Sequence, residues 1–211
     1  DDRLLVWVAV KTRSSLDRSS ARTLIASGGE EIVSRRVISI DPNTGGAVVL
    51  FGGDQRRMRT THNLGVTADL LHDDPDHVLM IAPTAARGIA ALYKVNVLTG
   101  RAEEFERGDF DTVGWKTRNG TPVLRYDINN AGNTFEIMAR APGERQWTLV
   151  RRVPIFEAPE FAFVSMTDRD DVILVSARLD GENVQSVREL NLRTREYGSP
   201  ESYRELTAAD V

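Results

Sequence analysis

A strand, a tight turn and a second strand recur along this chain, with no helical stretch between the copies. The clearest copies are Val37-Ile38-Ser39-Ile40-Asp41-Pro42-Asn43-Thr44-Gly45-Gly46-Ala47-Val48-Val49-Leu50 and Tyr93-Lys94-Val95-Asn96-Val97-Leu98-Thr99-Gly100-Arg101-Ala102-Glu103-Glu104-Phe105. A third is Glu189-Leu190-Asn191-Leu192-Arg193-Thr194-Arg195-Glu196, and a weaker one spans 137–150 around Pro142-Gly143. The turns fall at Thr44, Thr99, Pro142 and Thr194, a spacing of roughly 45–55 residues. Periods of that size in β-rich sequence point to propeller blades or similar arrays. Function in such a fold belongs to loops at one end, to a central channel or to a partner domain.

The expected fold is all-β: a β-propeller or propeller fragment of about four blades, each a four-stranded antiparallel sheet. Blade-like units are expected at about 1–51, 65–108, 110–153 and 160–201, within one partial propeller domain covering 1–211. In the second unit, strands are expected at 66–71, 78–82, 91–97 and 102–106, with a turn over His72-Asp73-Asp74-Pro75-Asp76-His77. The third unit contains Asn119-Gly120 between β-rich segments, a strong hairpin signal because a type I′ turn needs positive φ at both central residues. The fourth runs through 161–166, 172–177 and 187–192, with an outer strand poorly marked by Tyr197-Gly198-Ser199-Pro200. The first unit is incomplete. It opens at 4–10, a second-strand position, so its inner strand would lie before Asp1. A long polar stretch, 11–34, follows, with at most one helical turn at 22–25. A second irregular stretch occupies 52–64. The apolar runs Val78-Leu79-Met80-Ile81 and Val172-Ile173-Leu174-Val175 lack alternation, as suits strands buried on both faces.

Composition removes several function classes. The chain has 211 residues and no cysteine, which excludes a disulfide framework, a thiolate metal site and a cysteine nucleophile, and assigns no compartment. A net charge of −4 argues against a general nucleic-acid binder. No stretch is long and apolar enough to span a bilayer as a helix, and the first residues do not read as a signal peptide. Lysine is confined to Lys11, Lys94 and Lys116, so the basic residues are nearly all arginine; coding bias is the first explanation and phosphate binding a remote second.

Several segments, taken in order, carry a family resemblance. Asp1-Asp2-Arg3-Leu4-Leu5-Val6, Ser39-Ile40-Asp41, and above all Asp69-Leu70-Leu71-His72-Asp73-Asp74-Pro75-Asp76-His77-Val78-Leu79-Met80 resemble the propeller of prolyl-oligopeptidase-family serine peptidases. Bacterial dipeptidyl aminopeptidase and acylaminoacyl-peptidase-like members are the nearest in character. Tyr93 to Gly100 and 163–192 also fit, with Ser176-Ala177-Arg178 where the family often has a serine-asparagine-arginine-like step. The resemblance implies a propeller that sits over an α/β-hydrolase domain and restricts the access of peptides to its active site. That catalytic domain would follow Val211 in the parent protein and would be this chain's partner.

The chain itself lacks the corresponding chemistry. No Gly-x-Ser-x-Gly elbow occurs; the triad order is Ser, Asp, His, the only histidines are His62, His72 and His77, and none of the few serines before His62 sits in an elbow context. No catalytic residue, metal ligand or cofactor is therefore assigned, and no substrate-binding residue is identified. His72, Asp73, Asp74, Asp76 and His77 are numerous enough to hold a metal, yet Asp-Asp-Pro-Asp is also good turn chemistry, and Asp168, Asp170 and Asp171 occupy the equivalent turn of the fourth unit. Trp7, Trp115 and Trp147 read as packing residues of strands, with Trp115 close to a channel. Arg35-Arg36 and Arg56-Arg57 with Arg59 form small basic clusters that read as solvated loops before they read as an anion site. Glu30-Glu31 invite comparison with the acidic pair by which dipeptidyl peptidases hold a substrate's α-amino group, but their surroundings do not match; Glu103-Glu104 have a weaker claim. An array with an incomplete first unit and a weak last strand is expected either to self-associate through 4–10 and 187–192 or to be only marginally soluble.

Overall fold

The computed structural model describes residues 3–13, 31–84 and 89–200. The chain divides into two compact units, residues 1–110 and 111–211. Each contains two antiparallel sheets whose strands follow chain order, so every sheet is an up-and-down meander of the kind that forms a propeller blade.

The first unit begins with the three-stranded sheet β1 (Leu4–Arg13), β2 (Glu31–Ile40) and β3 (Ala47–Val49). A short helix, α1 (Gln55–Thr60), leads to the second sheet: β4 (Val66–Asp69), β5 (His77–Pro83), β6 (Ala90–Asn96) and β7 (Ala102–Arg107). Val37, Leu50, Phe51 and Leu64 from the first sheet and its exit loop pack with Val78, Met80, Ala82, Ala91, Tyr93 and Val95 of the second. Leu79 and Leu92 are buried on the opposite face of the second sheet, so the unalternating run 78–80 is buried on both faces, as the sequence implies.

The second unit holds β8 (Thr112–Arg118), β9 (Thr121–Asn129), β10 (Thr134–Ala139) and β11 (Thr148–Pro154), then β12 (Phe161–Met166), β13 (Val172–Ala177), β14 (Ser186–Asn191) and β15 (Tyr197–Pro200). Its core joins Val123, Leu124, Ile137 and Ala139 to Ile173, Val175, Ala177 and Leu190. Leu174 is only half buried, so in that run the alternation is partial.

One turn is built three times. Asp41, Asn96 and Asn191 each stand at the end of a third strand, or its equivalent, and accept backbone N–H groups two and three residues ahead through the side-chain oxygen. In each the threonine at the third position, Thr44, Thr99 or Thr194, accepts from the N–H two residues on. The residue between is left-handed: Gly45 at φ 73°, Gly100 at 71° and Arg195 at 64°. The side chains of Asp, Asn and Thr thus satisfy the backbone donors that the tight turn frees. The weaker fourth copy uses other chemistry: the Glu144 carboxylate accepts from the Ala141 N–H, and Gly143 is left-handed. The Asn119-Gly120 hairpin has the expected form, with φ of 46° and 79° and Arg118 opposite Thr121.

Three local expectations are corrected. The polar segment expected from residue 11 to 34 is partly strand, because β1 and β2 pair without interruption from Leu4↔Ile40 to Arg13↔Glu31. Arg35 and Arg36 therefore lie in a strand rather than a solvated loop. The stretch 52–64 contains α1, whose N-terminus is capped by the Asp54 carboxylate accepting from the Arg57 N–H at 2.9 Å. The helical turn considered at 22–25 lies outside the described residues. Among the described residues the first sheet has three strands, in keeping with an incomplete first unit, and β15 joins β14 through a broken register.

Candidate functional site

Among the described residues, side chains with acid–base chemistry gather beside two adjoining clefts of the first unit. The turn from β4 to β5 and the register of β5 against β6 place His77 opposite Asn96 and bring Asp74 and Lys94 to the same end of the sheet. One cleft, of about 180 Å³, is lined by His77, Lys94, Asn96, Thr99, Arg101 and Glu103. The other, of about 360 Å³, is lined by Leu5 and Trp7 from β1, by His77 and Val78 from β5, by Leu70 and Val97 just beyond β4 and β6, and by Arg3 and Pro75.

Asp74 organises the polar cluster. One of its oxygens is 2.9 Å from His77 Nδ1 and the other 2.6 Å from Lys94 Nζ. The Lys94 ammonium, and then His77, hold the Asp74 carboxyl down at about 2. A carboxylate only accepts, so His77 carries its proton on Nδ1. Asn96 faces Nε2 at 3.4 Å. The Asn96 Oδ1 already accepts from Leu98, Thr99 and the Thr99 hydroxyl, so its NH₂ is the group presented to His77. Both ring nitrogens are thereby engaged. Thr99, the hydroxyl that lines the smaller cleft, donates to Asn96 and supports Arg101. The two groups of nucleophilic type that line the smaller cleft, the Thr99 hydroxyl and Lys94, are thus already engaged by Asn96 and Asp74, and the arrangement suits binding and turn fixation rather than acyl transfer.

A pH prediction follows from the lowered Asp74 carboxyl. An unfolded aspartate titrates near 3.8 and the folded one at about 2, so its contribution to stability is complete above pH 4 and is lost as pH falls through that interval. Asp74→Asn should flatten the acid limb of the stability profile between about pH 4 and 2. Denaturant midpoints for the two proteins should differ at pH 5 and converge at pH 2; parallel curves across that range would contradict the assignment.

Elsewhere the residues singled out in the sequence are scattered. His72, Asp73 and Asp76 are exposed in the β4–β5 turn, and no group of three or more histidine or acidic side chains suited to a metal occurs among the described residues. Asp171 lies 3.5 Å from Asn191, repeating the turn position of Asp76. Trp115 is buried on β8. Trp147 precedes β11 and carries the Arg140 guanidinium 4.2 Å from its ring centroid and that of Arg125 at 5.5 Å. Trp7 departs from the packing expectation: it is 54% exposed, and its indole N–H donates to the Gly65 carbonyl. Glu30 and the side chain of Glu31 lie outside the described residues. Glu103 faces Arg101 and Glu104 pairs with Arg107.

Sequence reasoning missed what arginine does. Within the second unit, Arg118 donates to the Thr167 and Val172 carbonyls at 2.9 and 2.7 Å, and Arg151 to the Arg178 carbonyl. Arg193 donates to Pro142, and Arg195 to Glu144 and Thr148. These guanidinium groups stitch one sheet of the unit to the other, using a planar fork that lysine lacks. In the first unit Arg36 ties β2 to the Met58 and His62 carbonyls. No helix among the described residues is long and apolar enough to cross a membrane. Compared with known proteins, the chain matches no family model, and no curated protein matches it.

Proposed function

We propose that this chain is the non-catalytic propeller portion of a serine peptidase resembling the prolyl-oligopeptidase family, and that it filters the access of peptides to an α/β-hydrolase domain. The observation that carries the reading is the repeated blade-like meander whose second sheet holds the run Asp69 to Met80, the segment most similar to that family. The missing Gly-x-Ser-x-Gly elbow and the engagement of His77 by Asp74 and Asn96 agree with a role without chemistry of its own. The apolar strand β1, which among the described residues pairs only with β2, favours a second reading, a propeller used as a protein-interaction platform with no enzyme attached.

Two observations separate these readings from each other and from a stand-alone hydrolase. The chain alone should not react with a fluorophosphonate probe, since it has no positioned nucleophile and base. Stoichiometric labelling of one serine, abolished by its change to alanine, would refute a non-catalytic role. Reading the coding sequence past Val211 decides between the other two: a serine elbow followed by Asp and His selects the peptidase, and a stop codon selects the platform.

A further inference from the structure

In each of the three copies of the repeated turn, the residue that accepts the backbone N–H groups has a side-chain neighbour, and the neighbours differ in kind. In the first sheet the Asp41 carboxylate lies in the field of Arg3, the residue beside the Leu4–Ile40 pair. In the sheet of β12–β15 the Asn191 NH₂ donates to the Asp171 carboxylate at 3.5 Å. In the second sheet the Asn96 NH₂ faces His77 Nε2 at 3.4 Å. Among a guanidinium, a carboxylate and an imidazole, only the imidazole ordinarily changes charge between about pH 5 and 8. One copy of the turn is therefore tied to a group that titrates near neutrality, and its two sisters are not.

The geometry dictates what a second proton on His77 does. Nδ1 already donates to Asp74 at 2.9 Å, and Lys94 and then His77 hold that carboxyl at about 2, so it stays charged throughout. The added proton goes to Nε2 and turns an acceptor into a donor. Turning the ring over brings no relief, since both nitrogens then donate. Asn96 cannot exchange the ends of its amide, because its Oδ1 holds the Leu98 and Thr99 N–H groups at 3.0 and 2.9 Å and the Thr99 hydroxyl at 3.0 Å. Two donors are left facing one another. Besides Asp74, the charged groups around His77 are Lys94 from β6, Arg101 from the β6–β7 turn, Glu103 from β7, and Arg3 across the larger cleft. Asp74 serves Nδ1 and Lys94, and Glu103 faces Arg101 at 3.5 Å, so neither carboxylate takes over from Asn96. The displacement has a short path outward. Asn96 holds Thr99, the Thr99 hydroxyl accepts from the Arg101 N–H at 3.3 Å, and Thr99 and Arg101 both line the smaller cleft.

We propose that His77 is a pH-sensitive switch for the β6–β7 turn and the smaller cleft: on taking its second proton it deprives the Asn96 NH₂ of its acceptor and loosens Thr99 and Arg101 from the cleft wall. In the neutral state the turn is held and the cleft keeps its shape. In the protonated state His77 is drawn more strongly to Asp74, the turn gives way on the Asn96 side, and the cleft gains a positive charge at Nε2. This inference does not rest on the peptidase reading and holds for a platform equally well.

The test follows the full chain by NMR between about pH 8 and 5, with the His77 ring signals reporting its protonation. Amide exchange of Leu98 and Thr99, normalised to the intrinsic rate at each pH, should quicken about threefold or more in step with His77. The amides of Arg193 and Thr194, held in the same way by Asn191, should not respond. Asn96→Asp should reverse the sign. Asp41 shows that a carboxylate fits this turn, and a carboxylate at position 96 accepts from the protonated Nε2, so exchange at 98 and 99 should slow as His77 is protonated. His77→Gln should give a flat profile. The proposal is overturned if Leu98 and Thr99 do not respond while His77 titrates, or if Arg193 and Thr194 respond equally. It is also overturned if Asn96→Asp keeps the parent's sign, or if His77→Gln keeps the response.

Discussion

Replacing Phe51 with alanine is expected to destabilise the first unit by about 3–5 kcal/mol, and replacing it with glycine should cost no more and probe a second effect. Phe51 is fully buried. Its ring meets Tyr93 edge-on at 5.6 Å, and the Arg57 guanidinium lies 5.3 Å from its centroid and 4.1 Å from that of Tyr93. Arg57 also donates to the Tyr93 hydroxyl and pairs with Asp54, so the ring anchors α1 to the core. Removing it leaves a cavity and unseats the arginine. Phe51 is also left-handed, at φ 63°. That conformation costs a residue with a Cβ about 1–2 kcal/mol, which alanine keeps and glycine escapes. The usual order, in which glycine is worse than alanine, should therefore be reversed. Because a chain of two units need not unfold in one step, the measurement is hydrogen exchange at β5 and β6 amides in native conditions. A loss below about 1 kcal/mol for alanine would remove Phe51 from the core, and alanine more stable than glycine would remove the backbone argument.

The parts of this fold that were legible in the sequence are those fixed by neighbours in the chain. Asn119-Gly120 dictates its hairpin because both residues tolerate positive φ. Asp41, Asn96 and Asn191 dictate their turns because a side chain two or three residues away satisfies the backbone. Even the departure at Arg195 leaves the pattern intact, since the Asn and Thr supply the same bonds while an arginine takes the left-handed place that glycine fills elsewhere. Buried strands such as 78–82 declare themselves by composition alone.

What was not legible depends on partners far along the chain. The continuation of β1 to Arg13 and of β2 back to Glu31 is set by each strand pairing with the other, whereas locally those residues are polar. The arginine stitching within the second unit needs carbonyls such as Thr167 O, 49 residues from Arg118. The Asp74–His77–Lys94 cluster was half visible: the turn showed Asp74 and His77, but Lys94 arrives through the β5–β6 register. Trp7 has the pattern of a packed strand residue, yet it is exposed on a strand that, among the described residues, pairs only with β2, a fact that composition does not encode.

Gly100→Ala should be the most damaging single-methyl addition among the repeated turns, at about 2–4 kcal/mol, and Gly45→Ala supplies its control at about 1 kcal/mol. Both glycines occupy the same place in the same turn, at φ 71° and 73°, so each alanine carries the same backbone penalty. They differ in what surrounds them. A Cβ at Gly45 meets nothing within 4 Å. A Cβ at Gly100 would stand 2.4 Å from the Val49 carbonyl oxygen and 3.1 Å from Val48 Cγ1. The obstacle at Gly100 is backbone, which cannot rotate away as a side chain can. The second sheet's turn approaches β3 so closely that only a hydrogen fits, and β3 is held to β2 by just three paired residues, Ala47 to Val49. Relief must come either from lifting β3 off β2 or from opening the packing of Leu50 and Phe51 beyond it. Hydrogen exchange distinguishes the two routes: faster exchange confined to the β2–β3 pairs marks the first, and faster exchange reaching β5 and β6 marks the second. Equal losses for the two alanine variants would mean that the turn's conformation, and not the contact between the sheets, is what requires glycine at position 100.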